Sequence, residues 1–126
     1  MSPESTNYFD MADAHLKVAE DAFAAGLYQI AAREAYLVAL RVARGIIFEK
    51  TGATPKTHSG ARNQLSKLVH EGLPIDAAFL QFMAAGFEVK SDLDYGPVSP
   101  VQRSVAEQAI ITARAFLAAA KAVCEQ

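Results

Sequence analysis

The stretch YQIAAREAYLVALRVARGIIFEK, residues 28–50, limits what this chain can become more than any other segment. Ile30, Tyr36, Leu37, Val38, Leu40, Val42, Ile46, Ile47 and Phe48 leave only a narrow polar strip through Gln29, Arg33, Glu34, Arg41 and Arg44. The segment has the length of a helix, from about Tyr28 to Lys50. A helix that is apolar on most faces cannot lie on a surface. It sits at the centre of a bundle, or a second chain covers it. The stretch therefore predicts a central helix and gives a first indication of a dimer.

Four further helices surround it in the sequence, and no strand pattern is present. The first is predicted from about Asn7 to Ala25, capped by Ser5 or Thr6, with Tyr8, Met11, Leu16, Ala19, Phe23 and Leu27 inward. Gly26 ends or bends it. The loop TGATPKTHSG follows the central helix, with Gly52 as its C-cap and Pro55 and Gly60 as breakers. A third helix runs from about Ser59 to His70. A fourth starts after Pro74, carries Ile75, Phe79, Phe82, Gly86, Val89 and Leu93 on one stripe, and ends near Asp94–Tyr95. The fifth is predicted to open on a capping box, with Ser99 as N-cap, Pro100 at N1 and Gln102 at N3. It turns Val101, Val105, Ala109, Ala113, Phe116, Leu117, Ala120 and Cys124 inward. The 126 residues show no repeat and no second domain, so one all-α domain over 1–126 is expected.

Several function classes fall away. A formal charge of −2 gives no bulk attraction to nucleic acid, so any such contact needs a local basic patch. Cys124 is the lone cysteine, which excludes a disulfide framework and a cysteine metal site. The start MSPESTNYFD has no signal-peptide core, and no apolar run reaches the ~18 residues of a membrane span. A cytoplasmic protein is expected. His15, His58 and His70 lack the spacing of a metal site, and no phosphate loop, dinucleotide fingerprint or nucleophile elbow occurs. Neither metal nor cofactor is expected.

Three polar stretches each carry two readings. Arg33, Arg41 and Arg44 either receive phosphates or snorkel along the helix to acids such as Asp10, Asp13, Glu34 and Asp94. PKTHSG, 55–60, places a Lys and a His at a helix start that favours an anion, or Thr57 or Ser59 simply caps that helix. KSDLDYG, 90–96, is either a helix end with an exposed Lys90–Asp94 pair or a working site.

The order AREAYLVALRVARGIIFEKTG, PKTHSG, KSDLDYG resembles the HEPN family of small helical proteins over about residues 10 to 122. It is most similar to the branch with a tyrosine-bearing second helix, a K-x-H-x-G loop and an R-x-x-A-D-Y segment. The resemblance implies an antiparallel four- to five-helix bundle that forms a homodimer through its long helices. It also implies one of two roles. Many members are metal-free ribonuclease toxins paired with a nucleotidyltransferase-fold partner protein, while others only bind RNA, nucleotides or proteins. In the nucleases an Arg and a His, spaced R-x-x-x-x-H, hold the phosphodiester and assist attack by the 2′-hydroxyl.

Carried over position by position, that Arg falls on Lys90 and that His on Tyr95. Asp94–Tyr95 match the D-Y of the branch, Leu93 replaces its Ala, Lys56 and His58 match the loop, and Tyr36 and Arg44 match the second helix. Lysine cannot fork onto a phosphate, and a phenol with a reference pKa of about 10 is a poor base at neutral pH. The expected function is therefore binding of a nucleotide, RNA or partner protein in a polar cleft. Lys90, Asp94 and Tyr95 would line it, with Arg44 and His58 at its edges. The rival is a ribonuclease in which Lys90, Tyr95 and His58 are the catalytic candidates.

Overall fold

The computed structural model describes residues 1–95 and 101–125, with the side chains of 87–95 outside that description. Among the described residues there are five helices and no strand: α1 (Pro3–Ala24), α2 (Tyr28–Thr51), α3 (His58–His70), α4 (Ala78–Tyr95) and α5 (Arg103–Cys124). The all-helical expectation holds.

The start of α1 differs from the sequence reading. Ser2 is the N-cap, its side chain accepting from the Ser5 N–H at 3.1 Å, and Pro3 takes the first turn where a missing N–H costs nothing. Ser5, expected outside the helix as a cap, is fully buried within its first turn. The Ser2 N–H donates to Glu49 Oε2 at 3.0 Å and so fastens the head of α1 to the tail of α2. That hydrogen bond, chief among several to serine groups, holds the Glu49 carboxyl below its usual range.

Gly26, at φ +78°, reverses the chain, and α1 and α2 then pair antiparallel. Ser2 meets Glu49, Phe9 lies on Gly45, and His15 meets Glu34. The α5 helix runs antiparallel to α1 and parallel to α2. Arg103 stands over the Phe23 ring, Arg114 reaches Glu20 at 3.2 Å, and Lys121 reaches Asp13 at 3.0 Å. Alanines such as Ala12, Ala31, Ala35 and Ala113 are fully buried where these helices approach.

The α2 helix touches all four others, which confirms its central place. The α4 helix packs through aromatic contacts. Phe79 stacks on Phe116 with ring centroids 4.7 Å apart, and Phe82 meets Tyr36 at 4.8 Å.

Three inward assignments differ from the structure, two of them by one position. Met11, Leu27 and Val105 are exposed, because the buried stripes pass through Phe9, Ala12 and Ala19 on α1 and Ala106, Ala109 and Ala113 on α5. Leu27 belongs to the turn and precedes α2. The α5 helix begins at Arg103 with Gln102 as an uncapped N-cap, so Gln102 is not at N3; Ser99 and Pro100 lie outside the described residues. Ile75 is buried but precedes α4, whose first N–H is held by Asp76 Oδ1 at 2.8 Å. Gly52 caps α2 at φ +81°, as its sequence position predicts. No described helix is long and apolar enough to cross a membrane.

Candidate functional site

The C-terminal half of α2 and the loop after it form one corner. Arg44 Nη2 donates to the Lys56 carbonyl at 2.9 Å, binding the K-x-H-x-G segment to α2. Thr57 caps α3, its side chain accepting from the Gly60 N–H at 2.9 Å. Gly60 has a packing reason: a Cβ there would lie 2.7 Å from Thr57 Oγ1 and 2.9 Å from Pro55 Cβ. The cap and the glycine together fix where the helix begins, and His58 is its first residue, half-buried.

The α1–α2 register assembles the rest of this corner. His15 Nδ1 lies 2.6 Å from Glu34 Oε2. Seven residues back on α1 and seven forward on α2 bring Tyr8 opposite Arg41, two helical turns from that bridge. Arg44 follows one turn later. Burial lowers the Arg44 pKa, the nearby Arg41 charge lowers it further, and Tyr8 opposes them. Glu34 is engaged by His15 and Asp13 by Lys121, so neither acid serves Arg41 or Arg44. Among the described residues Arg41 and Arg44 have no carboxylate partner, and the Nε of each is buried without a hydrogen bond.

The other predicted site residues are less fully placed. The backbone of Lys90, Asp94 and Tyr95 forms the last turns of α4, so Lys90 and Asp94 stand one turn apart; their side chains lie outside the described residues. Tyr36, part of the resemblance, is a packing residue on which Phe82 and Gly86 rest, and burial raises its pKa. Tyr8 was not singled out as a site residue by the sequence reading, which named Arg41 only as one of a basic strip that receives phosphates or snorkels to acids. The signal was present in the antiparallel register of α1 and α2, which becomes readable once His15 and Glu34 are paired.

A second feature lies on the same face, toward the other end of the hairpin. Met11 and Val18 flank His15 at i−4 and i+3, and Ile30 and Leu37 flank Glu34 in the same way, so the four share one surface. Met11 is 38% exposed, Val18 46% and Ile30 47%.

The family model of the HEPN domain matches residues 6–123, which takes in nearly all of α1 through α5. The chain belongs to the HEPN domain family. Among curated proteins none matches it closely enough to count as a relative. HEPN membership agrees with the all-helical bundle and covers every site residue named above.

Proposed function

We propose that this HEPN protein binds the phosphates of a nucleotide or of single-stranded RNA, as a dimer and without cutting them. The Arg44–Lys56 bond carries this reading, because it joins a basic helix face to the loop that starts α3. There a guanidinium, the exposed Lys56 and the half-buried His58 gather at the start of a helix, whose dipole favours an anion. Lys90, Asp94 and Tyr95 are assigned to the same function on the strength of the family motif. The Lys and Tyr at the motif positions are the reason to expect binding without cleavage.

Calorimetric titration with a single-stranded RNA 12-mer and with AMP tests the reading. Arg44→Ala is expected to weaken binding by about tenfold or more, since it removes a charged donor and frees the loop. Arg44→Lys should recover only part of the loss, because a point charge replaces a fork. Affinity unchanged in Arg44→Ala would sink the site. RNA cleavage that persists in EDTA and disappears in Lys90→Ala would instead establish the ribonuclease.

Exposed Met11, Val18 and Ile30, with the half-buried Leu37, make the surface assigned to the second copy. Light scattering at micromolar concentration should give twice the chain mass, and Val18→Glu with Ile30→Glu should halve it. A wild-type monomer would leave that surface to a different chain, such as a nucleotidyltransferase-fold partner.

A further inference from the structure

In the sequence Arg41 is one of a basic strip that either receives phosphates or snorkels to acids, and its surroundings are those of a charge held for a ligand. Arg41 and Arg44 are one turn apart on α2, close enough for one to depress the pKa of the other. Two like charges in a half-buried place normally attract acids, but among the described residues three acids of α1 and α2 are committed elsewhere. Glu34 faces His15, Glu49 accepts from Ser2, and Asp13 holds Lys121. The exposed Lys56, whose carbonyl positions Arg44, adds a third positive charge at the edge. The buried side-chain atoms without a hydrogen-bond partner among the described residues are Arg41 Nε, Arg44 Nε and Thr54 Oγ1. All three belong to this face of α2 and the loop tied to it. Buried polar groups are almost always satisfied, so their clustering in one corner requires an explanation.

We propose that Tyr8, Arg41 and Arg44 form a subsite for a phosphomonoester, the terminal phosphate of an RNA end or a mononucleotide, in preference to an internal phosphodiester. The choice rests on the phosphate-binding reading above and on charge. An internal diester carries a single negative charge and would neutralise one guanidinium, leaving the other half-buried and unpaired. A terminal phosphate carries about −1.5 to −2 at pH 7 and offers three acceptor oxygens, matching two guanidinium groups. The Tyr8 phenol, across the helix pair from Arg41, supplies an uncharged donor for the remaining oxygen. Arg44 arrives already oriented by the Lys56 carbonyl, which limits the ordering needed on binding.

The test compares one RNA hexamer with and without a 5′-terminal phosphate, alongside AMP, by calorimetry on the full chain. The phosphorylated hexamer should bind about tenfold more tightly, as two charge-assisted contacts would give. Arg41→Gln should bring that ratio to within about twofold. Lys17→Gln, which removes an exposed charge paired with Asp21 elsewhere on α1, should leave the ratio intact. Thermal melting checks each variant, and Tyr8→Phe, which keeps the ring, should also reduce the ratio if Arg41→Gln unfolds. AMP binding as tightly as the phosphorylated hexamer would support the subsite and identify mononucleotides as its source. Equal affinity for the two hexamers would overturn the subsite while RNA binding stands. No binding of either hexamer or of AMP would overturn both.

Discussion

Phe116→Ala should lower stability by about 3–5 kcal/mol, measured as a shift in the urea midpoint with an unchanged slope. Phe116 is the bulkiest of the fully buried side chains. It lies on the inner face of α5, stacked on Phe79 at 4.7 Å with the ring planes 15° apart. Truncation removes the transfer energy of a ring and leaves a void that rigid helices close only in part. The void lies where α4 meets α5, a sparse contact compared with the α1–α2–α5 layer, so α4 loses part of its attachment. Phe79→Ala should cost less, because Phe79 is only half-buried. The double variant should fall short of the summed losses by about 0.5–1.5 kcal/mol, the direct worth of the ring pair. A loss under about 1 kcal/mol for Phe116→Ala would mean that α4 does not rest on α5 as described.

The central helix was legible because its composition is extreme. With apolar residues on most faces, α2 had no place but the middle, and its ends were marked by the Gly26 turn and the Gly52 cap. Helix starts were less legible. Ser2–Pro3 carries the same cap signal as Ser99–Pro100, but it was passed over for Ser5 and Thr6, which lie nearer the first apolar residues. On α5 the expected Ala109, Ala113, Phe116, Leu117, Ala120 and Cys124 are buried. Met11 and Val105, however, were each placed one residue from the buried Ala12 and Ala106, because alanine fills so much of both helices. A stripe of alanines defines a packed face only weakly, and the larger Met11 and Val105 attract the assignment although they point to solvent.

The site was legible one residue at a time and not as an arrangement. Arg44 and His58 came from motif positions, and the loop bond supports their nearness. Which acids would quench the arginines depended on register. The sequence offered Asp10, Asp13, Glu34 and Asp94 with equal claim, and the α1–α2 and α1–α5 pairings sent Asp13 and Glu34 elsewhere. Long-range pairing of this kind leaves no local trace. It follows only once the helices are set against each other.

Gly86→Ala is expected to destabilise the protein by about 1–3 kcal/mol, although alanine is the better helix former by about 1 kcal/mol. A Cβ at position 86 would lie 2.4 Å from Tyr36 Cδ1, 2.5 Å from Cγ and 2.8 Å from Cβ. The Tyr36 Cβ is fixed to the α2 backbone and cannot rotate away. Its ring is held against Phe82 at 4.8 Å, so it can swing aside only by giving up that contact. Steric overlap therefore outweighs helix propensity, and α4 must lift from α2. Thermal melting should show a drop of roughly 3–12 °C for a chain of this size. In a Tyr36→Ala background the same substitution should cost less, because the ring atoms at 2.4 and 2.5 Å are gone while the Cβ at 2.8 Å remains. A Gly86→Ala protein as stable as the wild type would refute the close approach of the two helices. The substitution also separates packing from function. Lys90, Asp94 and Tyr95 lie further along α4, toward its C-terminal end. If they belong to the phosphate site, lifting α4 should weaken RNA binding in Gly86→Ala at temperatures well below its melting point. Tyr36→Ala with Gly86→Ala should then restore part of it.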